Sequence, residues 1–220
     1  MYSKRTELMD HLQKKYPEAY EYPILMICGP SGVGKSTLVQ YINAIFDTYI
    51  LVISCTTREP NPEQEEHGKH YYFISRSEFV RRMESGEFAE TNPYMQGSLY
   101  GTPWSEFQRI LSLGKVPALD IDINGVVRLD SLFPRDKTFR LYLDVNETEQ
   151  RKRLEKRGRD SQEKIERRIK YAKEEKQQLD ELLITDPGLF NLVQNYNNVD
   201  PSLFANKIAN MLKEMKQALV

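Results

Sequence analysis

The chain has 220 residues, 40% of them hydrophobic and 29% charged, enough to bury one good core and to carry smaller inserted lobes. Its 31 basic and 32 acidic side chains leave a net charge of −1, which excludes a general electrostatic pull toward nucleic acid or an anionic membrane. The two cysteines, Cys28 and Cys55, each close an apolar strand-like run, so they are expected as reduced, partly buried thiols with no sign of an oxidising compartment.

In chain order, Leu8 and Leu12, with Met9 nearby, give residues 1–22 a weak helical stripe, read as an appended helix and linker. This segment lacks an apolar signal core, and Glu7, Asp10 and Glu18 argue against a transit peptide. No apolar stretch approaches the roughly 20 residues of a membrane helix, so a soluble cytoplasmic protein is the expectation. Ile24 to Cys28, Lys35 to Phe46 and Tyr49 to Ser54 then alternate strand, helix, strand, with the strands almost continuously apolar. That pattern predicts an α/β fold with a parallel sheet flanked by helices.

Between the first strand and helix lies Gly29-Pro30-Ser31-Gly32-Val33-Gly34-Lys35-Ser36, the G-x-x-x-x-G-K-[ST] pattern of a phosphate-binding loop. Its glycines let backbone N–H groups converge on a polyphosphate, Lys35 can reach the outer phosphates, and the Ser36 hydroxyl can ligate Mg²⁺. The strand before it and the helix after it supply the context that confirms the motif. Nucleoside triphosphate binding follows.

The rhythm breaks between Thr56 and Thr102. Arg58 to His70 is polar, Tyr71 to Ile74 reads as a short exposed strand, and Ser75-Arg76-Ser77-Glu78 is a capping box opening a helix that Gly86 stops. An inserted small lobe over 56–102 is the economical reading. Thr102 is expected to cap, and Pro103 to start, the next helix. Strands follow at Lys115 to Ile121 and Phe139 to Leu143, helices at Glu147 to Lys156 and Gln162 to about Ile184, a last strand at Leu189 to Gln194, and a last helix begun by Asp200-Pro201. The core is thus predicted as 23–55, 103–145 and 185–220, with a helical lid at about 146–170. Most charges of Gln150 to Gln178 read as a solvated helix face held by i,i+4 pairs. Arg157, Arg159 and Arg168, around the turn at Gly158, are candidates to close over a triphosphate. Nucleic-acid binding through Arg151-Lys152-Arg153 is disfavoured by Glu147, Glu149 and Glu155.

Beyond the phosphate loop, the chain carries Ser54-Cys55-Thr56-Thr57-Arg58-Glu59-Pro60, Gly68-Lys69-His70-Tyr71-Tyr72-Phe73, Gly86-Glu87-Phe88-Ala89-Glu90, Leu99-Tyr100-Gly101-Thr102, Leu119-Asp120-Ile121-Asp122-Ile123-Asn124-Gly125-Val126 and Arg153-Leu154-Glu155-Lys156-Arg157-Gly158. In order and nearly in spacing these motifs resemble guanylate kinase, which transfers phosphate from ATP to GMP. The resemblance implies a P-loop NTPase-type sheet with an inserted GMP-binding lobe and a helical lid. It implies ATP held by residues Gly29 through Thr37 (Gly29, Pro30, Ser31, Gly32, Val33, Gly34, Lys35, Ser36 and Thr37), with Asn195 near the adenine. GMP, or dGMP, would be held by Ser54, Arg58, Glu65, Tyr71, Glu90, Tyr100, Thr102 and Asp122. Lys35, Arg58, Arg157 and Arg168 would act on the moving phosphoryl, and Mg²⁺ would meet Ser36 directly and Asp120 through water.

The chemistry agrees with that assignment: guanine offers N1–H and a 2-amine to a carboxylate such as Glu90, whereas adenine would aim a lone pair at it. The family's second arginine after the Thr-Thr-Arg-x-Pro run is Asn61 here, and its tryptophan after the reader glutamate is Thr91. These departures keep open a related kinase with an altered acceptor, with Lys69 as a compensating cation. A non-catalytic guanylate-kinase-like binding module is the other alternative, opposed by the intact Lys35, Ser36, Arg58 and Glu90. Monomer and homodimer are both left open.

Overall fold

The computed structural model describes residues 15, 21–95, 97–158 and 160–218. The expected N-terminal helix with its Leu8 and Leu12 stripe, and Arg159, lie outside the described residues.

Ile24–Cys28 forms β1, and all five side chains are buried. A strand with no polar position must be covered on both faces, and β1 lies at the centre of a five-stranded parallel sheet. The other strands are β2 (Tyr49–Leu51), β7 (Val116–Asp120), β8 (Thr138–Asp144) and β9 (Leu192–Asn195), in the order β2-β7-β1-β8-β9. Alternation along β1 feeds two cores. Ile24, Met26 and Cys28 join Trp104, Phe107 and Phe133, whose rings sit 5.5, 5.6 and 6.3 Å apart in pairs. Leu25 and Ile27 join Leu38 and Ile42 of α1 (Lys35–Phe46) and Phe204, Ile208 and Leu212 of α7 (Pro201–Ala218). Each such fully buried aliphatic contributes about 1.5–3 kcal/mol of transfer free energy.

The interruption in the rhythm is a second, four-stranded sheet, ordered β4-β3-β6-β5: β3 (Cys55–Thr56), β4 (Tyr72–Phe73), β5 (Phe88–Met95) and β6 (Ser98–Pro103). Helix α2 (Arg76–Glu84) covers it, N-capped by the Ser75 hydroxyl, which accepts from Glu78 N–H. Phe79 and Phe88, stacked at 4.7 Å, form a small core with Cys55 and Leu99. Tyr72 donates its hydroxyl to Glu106 Oε1 at 2.9 Å, tying this sheet to α3 (Trp104–Ser112).

Thr102 does not cap α3: Pro103 occupies the cap without a side-chain bond, because the Thr102 hydroxyl is spent on Glu90. The β5–β6 hairpin and α4 (Ile123–Asp130) are further elements that the sequence pattern did not separate. Cys28 and Cys55 are free and fully buried. Helices α5 (Glu147–Arg157) and α6 (Gln162–Thr185) follow β8, and α6 continues well past residue 170.

Candidate active site

The pocket opens at the carboxyl ends of β1, β7 and β8, where open α/β sheets collect their ligands. The loop after β1 is shaped by backbone that only glycine adopts freely: φ is +136° at Gly29, +86° at Gly32 and +111° at Gly34. A Cβ on Gly29 would stand 2.3 Å from the Leu143 carbonyl oxygen, so the loop lies directly on β8. Lys35 donates Nζ to Gly29 O at 2.6 Å and lies 3.4 Å from Asp120 at the end of β7. Burial works against its ammonium, but Asp120 and Glu175 outweigh it and the pKa is raised. Ser36 and Thr37 are exposed in the first turn of α1.

Helices α5 and α6 brace this loop. Arg168 reaches the Ser31 hydroxyl and holds Asp160 at 3.1 Å. Buried Gln150 donates to Ser31 O at 3.0 Å. Arg153 donates to Val33 O at 2.6 Å and Tyr196 O at 2.8 Å and lies over the Tyr196 ring. A cavity of about 290 Å³ lies alongside, lined by Gly32, Gly34, Thr37, Arg153, Tyr196 and Val199. Asn195 is exposed, and its amide oxygen accepts from Asn197 N–H and side-chain amide, so it closes a turn rather than lining that cavity. Arg157 is exposed at the last turn of α5.

The second sheet supplies side chains instead. Arg58 and Glu65 form a two-pronged pair, 2.8 Å on each prong, and Asn61 N–H joins the same carboxylate at 2.9 Å. The Arg58 hydrogen bonds hold the Glu65 pKa down to about 2, while Glu65, with Tyr100 adding to it, raises the guanidinium. Arg58 also lies 5.5 Å over the Tyr71 ring, and Tyr71 meets Tyr100 edge-on at 6.0 Å. Burial first, and Asp120 second, raise the Tyr71 hydroxyl, which links this cluster electrostatically to the Lys35 side of the pocket. Asn61 starts the turn that presents Glu65, and Lys69 pairs with Glu66 at the surface.

Glu90 on β5 is 7% exposed and accepts the Thr102 hydroxyl at 2.7 Å. Burial raises its pKa to about 7, with Asp122 adding to the rise and Thr102 and Arg128 opposing it. Asp122 caps α4, accepting Gly125 N–H at 2.7 Å, and takes the buried Asn92 amide on its other oxygen. Ser54 is half-buried just before β3, its carbonyl accepting Tyr72 N–H.

Sequence reasoning missed Asn92, Arg128, Gln150, Arg153 and Glu175. For Gln150 and Arg153 a signal existed, because i,i+3 spacing puts both on one helix face, next to buried Leu154. Glu175 on α6 had none. It accepts the Cys28 thiol at 3.7 Å, and burial raises its pKa to about 7 against the pull of Lys35.

A glycine-rich loop between a buried parallel strand and a helix, with a smaller inserted sheet that carries buried and paired charged side chains, is the layout of a P-loop nucleotide kinase. The chain belongs to the guanylate kinase family, whose model, described as Guanylate kinase, matches residues 21–215. It is 37% identical over 188 residues to the guanylate kinase of Lawsonia intracellularis, covering 84% of this chain and 85% of that one. It is 36% identical to that of Campylobacter jejuni strain NCTC 11168, covering 84% and 88%. Among solved structures, the guanylate kinase of Anaplasma phagocytophilum superposes with a TM-score of 0.61 over 89% of this chain and 86% of that one, at 24% identity, a likeness of fold.

Proposed function

We infer that the chain transfers the γ-phosphoryl group of ATP to GMP, giving ADP and GDP, and that the pocket at the ends of β1, β7 and β8 is where it does so. The observation that carries this reading is the buried Glu90, braced by Thr102 and neighboured by Asp122. Its carboxylate has acceptor capacity left for guanine N1–H and the 2-amine, which adenine cannot satisfy.

In the reaction, an oxygen of the GMP phosphate bonds to the γ-phosphorus of ATP while the bond to the ADP oxygen breaks. The acceptor is already ionised, so no general base is needed. Backbone N–H groups of the loop from Ser31 to Thr37 hold the donor phosphates, and Lys35 neutralises the outer ones. Arg58, presented by Glu65 and flanked by Tyr71 and Tyr100, holds the acceptor phosphate in line. Arg168, with Arg157, brings positive charge from the lid at 146–170, whose closure excludes water. The acceptor lobe is 56–102.

A hydroxyl and a partly exposed carboxylate, Ser36 and Asp120, suit Mg²⁺, which takes few protein oxygens and keeps phosphate oxygens and water. Bound there with ATP, the ion would neutralise charge on the phosphates. No helix among the described residues is long and apolar enough to cross a membrane, and we place the reaction in the cytoplasm.

ADP production measured with ATP, Mg²⁺ and GMP, dGMP or AMP tests the reading. We expect turnover with the guanine nucleotides and at least about 10⁴-fold less with AMP, and none after chelation. Turnover on AMP equal to that on GMP contradicts it. The missing second arginine favours one variant of the reading, a weaker hold on the acceptor phosphate, visible as a high KM for GMP with kcat preserved.

A further inference from the structure

The chain passes between the two sheets twice, outward after β2 through residues 52–54 and back from β6 into α3. Glu106 sits where the two crossings meet. It stands in the first turn of α3, only 2% exposed, and both of its oxygens are in use. Oε2 accepts Ile53 N–H of the outward crossing at 3.0 Å, and Oε1 accepts the Tyr72 hydroxyl of β4 at 2.9 Å. Arg109 supplies the opposite charge, at 2.7 Å to Oε1 and 2.8 Å to Oε2. Burial works against this carboxylate, but Arg109, the Ile53 N–H and the Tyr72 hydroxyl together outweigh it, and its pKa is lowered. It stays ionised and acts as an acceptor only.

What Glu106 holds bears on Arg58. Alternation around β4 turns Tyr72 toward α3 and its neighbours Tyr71 and Phe73 to the opposite face. Arg58 lies over both of those rings, 5.5 Å from each centroid. Tyr72 N–H also donates to Ser54 O at 2.9 Å, one residue beyond Ile53. A single carboxylate on a helix packed into the main core thus holds the outward crossing and the strand on which the Arg58 guanidinium rests.

We propose that Glu106 is a positioning residue for phosphoryl transfer, setting the tilt of the second sheet against the main one so that Arg58 and Tyr71 meet the acceptor phosphate in line with the donor. The proposal rests on the role inferred above for Arg58. In-line transfer tolerates little misplacement, with about 1 Å costing on the order of 10²-fold, so a joint that sets the tilt enters the rate.

Two variants test it, with kinetics on ATP, Mg²⁺ and GMP measured well below the melting temperature of each. Tyr72→Phe removes one hydroxyl from a half-buried ring and leaves Glu106 its other partners. Glu106→Gln keeps the shape but sets an amide N–H against the Ile53 N–H or the Tyr72 hydroxyl. In Tyr72→Phe, kcat should fall about tenfold and KM for GMP rise about fivefold, with KM for ATP unchanged. Glu106→Gln should lose at least as much. Wild-type kcat and KM for GMP in Tyr72→Phe, whatever its melting temperature, overturn the proposal and leave Glu106 a support of stability alone. A rise in KM for ATP equal to that for GMP overturns it too, since it reports a general loosening of the fold. Tyr72→Phe decides the matter by itself should Glu106→Gln not fold. Failure of the underlying reading shows separately: Arg58→Ala would then keep the wild-type kcat/KM for GMP, whatever Tyr72→Phe does.

Discussion

At the end of β1 the site is made of backbone, with three glycines at positive φ, a loop seated on the Leu143 carbonyl, and the Lys35 ammonium folded back onto the Gly29 carbonyl. In the second sheet it is made of side chains that hold one another: Arg58 on Glu65, Thr102 on Glu90, Asn92 on Asp122. In the proposed function the first design serves any triphosphate through features common to all of them, and the second tells one base from another, which needs donors and acceptors in fixed places and therefore buried, mutually satisfied groups. The difference has an energetic side. Glu90 and Glu175 sit with pKa values raised to about 7 by burial, whereas Glu65, equally part of the pocket, is held near 2 by its arginine.

The sharpest break in the comparison is Lys35→Ala, which removes the one side chain the backbone cradle cannot replace. Turnover should fall about 10²- to 10³-fold or more with the fold intact by circular dichroism. Near-normal turnover would remove Lys35 from the chemistry. Arg58→Ala comes next, lowering kcat/KM for GMP by about 10- to 100-fold while KM for ATP stays put. Arg58→Lys should recover little, because one ammonium cannot replace the two-pronged geometry on Glu65.

Glu90 sharpens the comparison through pH. Only its ionised form accepts guanine N1–H, so kcat/KM for GMP should rise about fivefold from pH 6 to pH 7 and about twofold more to pH 8, and level off above that. Stability runs the other way. A carboxyl whose folded pKa is about 7 against 4.5 unfolded contributes stability below pH 4.5 that is lost as pH rises through 7. Glu90→Gln should therefore melt higher than the wild type at pH 8, by roughly 1–3 kcal/mol, with the gap closing below pH 4.5. A variant that melts lower at pH 8 contradicts the burial argument. The smallest effect tests the backbone side. Arg153→Ala frees the Val33 and Tyr196 carbonyls and should raise KM for ATP about fivefold, a loss of about 1 kcal/mol, without touching KM for GMP.

The same contrast explains what could be read in advance. β1 and α1 matched their sequence limits, because an all-apolar five-residue run and a glycine loop before periodic Leu38 and Ile42 leave little choice. The Ser75 cap was legible for the same local reason. The β5–β6 hairpin was not. Its apolar and polar residues serve a lobe with a tiny core, and Thr102 carries a cap-like sequence signal while its hydroxyl is used across the hairpin. Glu90 and Arg58 were found only through the joint order of motifs, since each alone is an ordinary charge. Arg128 and Glu175 lay on charged helices with no local mark, because what distinguishes them is the neighbour that folding brings: Glu90 for one, Cys28 and Lys35 for the other. At Asn195 the strand end was legible, while the bond its side chain accepts from Asn197 was not, because it depends on the turn that follows.

The most direct test of the central claim is the ratio of kcat/KM for GMP over AMP, measured with ATP and Mg²⁺ on the wild type and on Glu90→Gln. The expected ratio is at least about 10⁴ and falls by two orders of magnitude or more in the variant, with KM for ATP unchanged. A ratio near unity in the wild type, or one that Glu90→Gln leaves untouched, would contradict it.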